Sequence, residues 1–84
     1  MASVNEVRLI GRLTADPEIR YIQSGTAVCN VDIAVNEKFK KQDEWVESVV
    51  FVPCELWGRT AEVTAEYMKK GSLCYIAGRL KLDQ

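Results

Sequence analysis

Phe51 and Trp57 stand six positions apart in a run whose alternate residues are Val50, Val52, Cys54 and Leu56. If that run is a strand, the aliphatic set faces a core and both rings face away from it, roughly 20 Å apart along the chain. Rings so placed can stack nucleic-acid bases, which is worth about 1–3 kcal/mol per base and tolerates any sequence. They can equally cover a second small core or a subunit interface. A third ring, Phe39, lies within Lys38-Phe39-Lys40-Lys41. Cations around a ring suit a passing nucleic-acid strand, although a solvated charge run anchored by one ring accounts for the same residues. Trp45 has Asp43, Glu44 and Glu47 as neighbours, which oppose phosphates, so it is expected to anchor the base of a loop. Arg59, Lys69, Lys70, Arg79 and Lys81 complete the candidate phosphate contacts. Lys69 and Lys70 also fit as cations placed at a helix C-terminus.

Covalent chemistry is poorly supplied. There is no histidine, which removes the commonest general base and the Ser-His and Cys-His nucleophiles. Cys29, Cys54 and Cys74 stand far apart, form no C-x-x-C, and fall short of a four-ligand zinc site. Each sits in a strand-like apolar pattern and is expected to be a buried thiol. No enzyme, metal or cofactor is therefore expected. The net charge of −1 hides a segregation of sign. Residues 1–41 carry six Lys or Arg against five Asp or Glu, residues 42–68 one against six, and residues 69–84 four against one. A basic groove is compatible with that distribution, because local potential matters more than the total.

These residues need a scaffold, and 84 residues allow one small domain. No apolar run approaches the roughly 20 residues of a membrane helix, and the N-terminus has no signal-peptide layout, so a soluble intracellular chain is expected. From Asn5 to Ala15, Val7, Leu9, Gly11 and Leu13 share one parity and predict a first strand. Ile10 on the polar face predicts that this second face is partly covered. Gly11 in mid-strand predicts a bend or a close backbone approach.

Gln23-Ser24-Gly25 is a turn, after which Ala27, Cys29, Val31, Ile33 and Val35 alternate as a second strand. Residues 36–45 are polar apart from Phe39 and Trp45 and read as a flexible hairpin excursion. Val46 to Trp57 is the third strand, with Pro53 demanding an edge, a bulge or solvent. Ala61, Ala65 and Met68 then recur with helical spacing over Arg59 to Lys70, with Val63 and Tyr67 beside them and a Glu66–Lys70 pair on the surface. Gly71 is the expected helix stop. Leu73 to Leu82 reads as a fourth strand bent at Gly78. Three strands, a helix and a strand is the order of the OB-fold, an all-β Greek-key barrel of five strands with its helix between strands three and four. Its fifth strand is not accounted for, because the sequence ends at Gln84.

Asn5-Glu6-Val7-Arg8-Leu9-Ile10-Gly11-Arg12-Leu13 and Asp16-Pro17-Glu18-Ile19-Arg20-Tyr21 closely resemble the opening of bacterial single-stranded DNA-binding proteins. Leu56-Trp57-Gly58-Arg59-Thr60-Ala61-Glu62-Val63, Glu66-Tyr67-Met68-Lys69-Lys70-Gly71-Ser72 and Gly78-Arg79-Leu80 continue the resemblance in the same order. It covers essentially the whole chain. It implies an OB domain over residues 1–84, incomplete at the C-terminus, that coats single-stranded DNA without sequence preference in replication, recombination and repair. Motif by motif, the family's stacking aromatics fall on Phe39, Phe51 and Trp57. Arg59 and Lys70 match its phosphate-contacting cations, and Lys40, Lys41 and Lys81 join them as expected contacts. Tyr67 and Tyr75 match structural tyrosines.

The resemblance further implies a homotetramer, or a dimer for this shorter form, working in the bacterial cytoplasm at the nucleoid. Replication and repair proteins would be recruited by an acidic tip that this sequence lacks. Glu6 stands where many relatives carry lysine, and the loop between strands two and three is short. Two other readings share the same sheet. One is a primosomal or plasmid-type OB accessory that binds proteins more than DNA. The other is a structural oligomerising barrel, with Phe51 and Trp57 buried between subunits.

Overall fold

The computed structural model describes residues 2–82. The elements run β1 (Val7–Leu13), β2 (Ile19–Tyr21), β3 (Ala27–Lys41), β4 (Glu44–Trp57), α1 (Arg59–Tyr67) and β5 (Leu73–Gly78). All strand pairs are antiparallel. β4 lies along one side of β3, while β2 and the end of β1 share its other side. β1 then turns away from β3 and pairs with β5. The result is a curled sheet with a helix before its last strand, consistent with the OB-fold.

Alternation placed the core as expected. Leu13 of β1 and Cys29, Val31 and Ile33 of β3 are buried, and Ala61 of α1 closes over them. Val52, Cys54 and Leu56 of β4 and Cys74 and Ile76 of β5 pack around this centre. The curl depends on Gly11. β1 meets β3 only at Arg12↔Ala34 and Leu13↔Ile33, and a Cβ on Gly11 would stand 2.5 Å from the Ala34 carbonyl oxygen. The close backbone approach that a mid-strand glycine predicts is therefore present. Pro53 lies on β4, whose second edge has no partner among the described residues, so its missing N–H disturbs no ladder. The concave side opens onto an apolar cavity of about 310 Å³ lined by Leu13, Val31, Leu56, Met68 and Ile76.

The structure corrects several expectations. Residues 36–45 do not form a flexible excursion: β3 and β4 stay paired to Lys41↔Glu44. The chain reverses in two residues, Gln42 and Asp43, both with positive φ (49° and 66°), as a tight hairpin turn requires. The helix ends at Tyr67 rather than Lys70. Tertiary partners draw the next residues away, the Lys70 N–H donating to Asp16 Oδ1 (2.7 Å) and the Gly71 N–H to the Leu13 carbonyl (2.9 Å). Gly71, with φ 89°, serves that turn instead of capping the helix, and the Glu66–Lys70 pair has no helix to span.

The last strand stops at Gly78, and beyond it Asn5 exchanges hydrogen bonds with both backbone groups of Leu80 (2.8 and 2.9 Å). Before the Gln23-Ser24-Gly25 turn the chain forms the short strand β2, which pairs with the start of β3. Ile10 is exposed, so the second face of β1 is not covered within one chain.

Candidate functional site

The β3–β4 ladder decides which rings share a surface. Its register runs from Val28↔Trp57 to Lys41↔Glu44 without a break, so side chains alternate strictly between two faces. Phe51 and Trp57 fall on the outer face, 62% and 48% exposed. Beneath them Val52, Cys54 and Leu56 pack on the core, as the sequence pattern requires, whereas Val50, expected to face it too, is exposed where the hairpin leaves the body. Trp57 is paired with the buried Val28, and its Nε1–H donates to Glu55 Oε1 at 2.7 Å, which fixes the tilt of the indole. Phe51 is paired with Ala34, a residue too small to cover the ring.

Past these pairs the hairpin leaves the body as a two-stranded arm, exposed on nearly all its length from Asn36 to Val50. Lys40 stands on the same face as Phe51 and Trp57, opposite Trp45. Phe39 and Lys41 stand on the reverse face, with Val46 and Glu44 as partners. Phe39, 46% exposed, is therefore not gathered with the other two rings by the sheet. Arg59 is exposed at the first position of α1, two residues past Trp57. Lys70 lies in the turn after α1, held by its backbone to Asp16. It does not sit on the last helical turn, which has no basic residue. Lys81 follows the Asn5–Leu80 clasp, tied to the start of β1 and not to the aromatic face.

Trp45, expected to anchor a loop, is the most exposed of these rings at 64%, and it stands on the outer face with Phe51 and Trp57. The Lys38 ammonium lies 5.4 Å from its ring centroid. Parity could have revealed this placement, since Trp45, Phe51 and Trp57 recur every six residues. The acidic flanks concealed it.

The charges on the outer face are divided. Asp32 and Glu55 lie between Phe51 and Trp57, while Lys38 and Lys40 lie on the arm with Glu47 opposite Lys38, and Arg59 lies at the opposite end. Such a surface offers π-faces in its middle and cations toward its ends. It supports stacking better than a continuous phosphate track. Nucleophilic chemistry is not provided by the cysteines. Burial pushes the Cys29, Cys54 and Cys74 thiols up, and for Cys54 the neighbouring Cys74 and Asp32 add to that rise. Tyr67 and Tyr75, which the resemblance matched to structural tyrosines, are exposed in the single chain. No helix among the described residues is long and apolar enough to cross a membrane.

Residues 4–84 match the Single-strand binding protein family. The chain is 46% identical over 84 residues to Single-stranded DNA-binding protein 1 of Synechocystis sp., covering 96% of this chain and 64% of that protein. It is 50% identical over 80 residues to the Single-stranded DNA-binding protein of Wolinella succinogenes, covering 94% of this chain and 49% of the relative. With Single-stranded DNA-binding protein B of Bacillus subtilis the identity is 48% over 77 residues, covering 92% and 67%. The chain thus spans about half to two thirds of the length of these relatives.

Proposed function

The chain belongs to the single-strand binding protein family, and from that premise we propose that it binds single-stranded DNA without sequence preference across the outer face of β4. The observation that carries this reading is the exposure of Phe51 and Trp57 on one face of one strand, backed by the core. Bases stack on the two rings, and the phosphates keep clear of Asp32 and Glu55 by running toward Arg59 at one end and Lys40 at the other. Phe39 and Lys41 join the site where the strand crosses the arm to its reverse face. Lys70 and Lys81 meet DNA that continues over the body. The reading needs no covalent step. It assigns the protein to replication, recombination and repair at the nucleoid, where single strands are exposed.

A homo-oligomer, dimer or tetramer, is part of the same proposal. From Val7 to Ile10, β1 has no partner on its β3 side among the described residues, which leaves a backbone edge open. Ile10, Leu73 and Tyr75 form an exposed apolar group on the outer face of β1 and β5, where Ile10↔Tyr75 and Arg12↔Leu73 are neighbours. A second copy would cover both features.

Titration with oligo-dT, read by tryptophan fluorescence, tests the DNA reading. Quenching that salt reverses is expected. Absence of quenching at low salt, with both indoles still open to a soluble quencher, would overturn it. Sedimentation at micromolar concentration tests the assembly, and a stable monomer would overturn that part alone.

A further inference from the structure

Trp45, Phe51 and Trp57 recur at intervals of six residues on β4, and the unbroken register with β3 keeps all three on one face. An even spacing in an unbroken strand keeps the rings on one face, which turns with the twist of the strand, with about 20 Å of strand between successive rings. The outermost ring of that row has the surroundings of a binding group. Trp45 is exposed, its cross-strand partner is Lys40, and the Lys38 ammonium lies 5.4 Å from its centroid. Of the acidic flanks that made Trp45 unpromising in the sequence, the pleat carries Glu44 to the reverse face as the cross-strand partner of Lys41. Glu47 stays on the face of Trp45, where its cross-strand partner is Lys38. Asp43 remains, in the turn.

We propose that Trp45, with Lys38 and Lys40, is a third stacking station for the same single strand, extending the site from the body out along the arm. This inference rests on the DNA-binding reading and adds a contact to it. A strand stacked on Trp57 and Phe51 that continues in the same direction reaches Trp45 next. In the free protein the Lys38 ammonium occupies one face of the indole. A phosphate carries full charge and offers charge-assisted hydrogen bonds, so it competes for the ammonium better than the neutral ring does. Lys38 then moves to the DNA backbone and leaves the ring face to a base.

Single-tryptophan variants test this directly. Trp57→Phe leaves Trp45 as the sole indole, and Trp45→Phe leaves Trp57; both keep an aromatic ring at the changed position. Oligo-dT is expected to quench both indoles, Trp45 requiring a longer oligomer than Trp57. Trp45→Ala is expected to weaken binding of a long oligo-dT by roughly 5- to 160-fold, the range of one lost stack, and to change little for an oligomer that spans only Phe51 and Trp57. Lys38→Met is expected to lower the salt slope for the long oligomer by about 0.7, one phosphate contact. If the Trp57 indole is quenched while Trp45 is not, the third station is overturned and the DNA reading stands. Equal losses for short and long oligomers, with a changed circular dichroism spectrum, would make Trp45 a structural residue of the arm and would also overturn it. If neither indole is quenched, the DNA reading fails and this station with it.

Discussion

The backbone of Gly11 passes so close to Ala34 that a methyl group on the glycine would stand 2.5 Å from the alanine carbonyl oxygen. Ala34 is in turn the cross-strand partner of Phe51, so the crossing of β1 over β3 lies directly behind the aromatic face. Gly11→Ala must push backbone from backbone, with no flexible side chain to give way. A loss of about 1–3 kcal/mol is expected, as for other overpacked sites. For a domain of this size each kcal/mol lowers the melting point by roughly 4–8 °C. Thermal unfolding followed by circular dichroism reads it, and an unchanged melting point would mean that the two strands separate at little cost.

Trp57→Ala removes a half-exposed ring that covers the buried Val28 but belongs to the outer face. It is expected to weaken oligo-dT binding by about 1–3 kcal/mol while leaving the secondary structure intact. Equal affinity in the variant would remove Trp57 from the site.

Neutralising Lys40, Lys41 and Arg59 together is expected to flatten the plot of log K against log salt by up to about two units, at roughly 0.7 per phosphate contact. These cations stand on two faces of the arm and at the start of α1, so the triple variant samples both ends of the aromatic row. An unchanged slope would place the phosphates elsewhere.

The three thiols are protonated more firmly in the fold than in the unfolded chain, because burial raises each above its ordinary value of 9.0. Below that pH both states hold the proton and stability is unaffected. Above it the unfolded chain releases protons that the native state retains, so stability falls as pH rises toward the raised native values. Melting points measured across pH 9 are expected to decline more for the native sequence than for a Cys29→Ala, Cys54→Ala, Cys74→Ala variant. Matching curves would show that the thiols do not contribute.

Asp16→Ala deletes the carboxylate that accepts the Lys70 N–H. A loss of about 1 kcal/mol is expected for this exposed but charge-assisted bond, with Asp16→Asn closer to the original because it retains an acceptor oxygen. Denaturant unfolding compares the three. Equal stability would mean that the turn from Met68 to Ser72 is held by its other bonds, among them the Gly71 N–H to the Leu13 carbonyl and the Leu13 N–H to the Ser72 carbonyl.

By itself the sequence determined most of the inward set of β1, β3 and β4, the helix between the last two strands, the turn at Gln23-Ser24-Gly25, and that Pro53 needs an edge, a bulge or solvent. Each of these follows from a local rule: period two for Cys29, Val31 and Ile33, a helical stripe around Ala61, and the missing N–H of proline. The exposed pairing of Phe51 with Trp57 on one face was legible for the same reason. Tertiary structure decided what depends on a distant partner. Helix α1 has the pattern to reach Lys70, but Asp16 and Leu13, more than fifty residues earlier, capture the Lys70 and Gly71 N–H groups and end it at Tyr67. The polar stretch from Asn36 to Trp45 has little apolar surface to announce a strand, yet it continues one, because each residue finds its partner across a two-residue turn. That ladder also separated Phe39 from the other rings and brought Trp45 beside Lys38. Charges adjacent in sequence lie on alternate faces of a pleated strand, so the neighbours a side chain meets are set by the strand beside it.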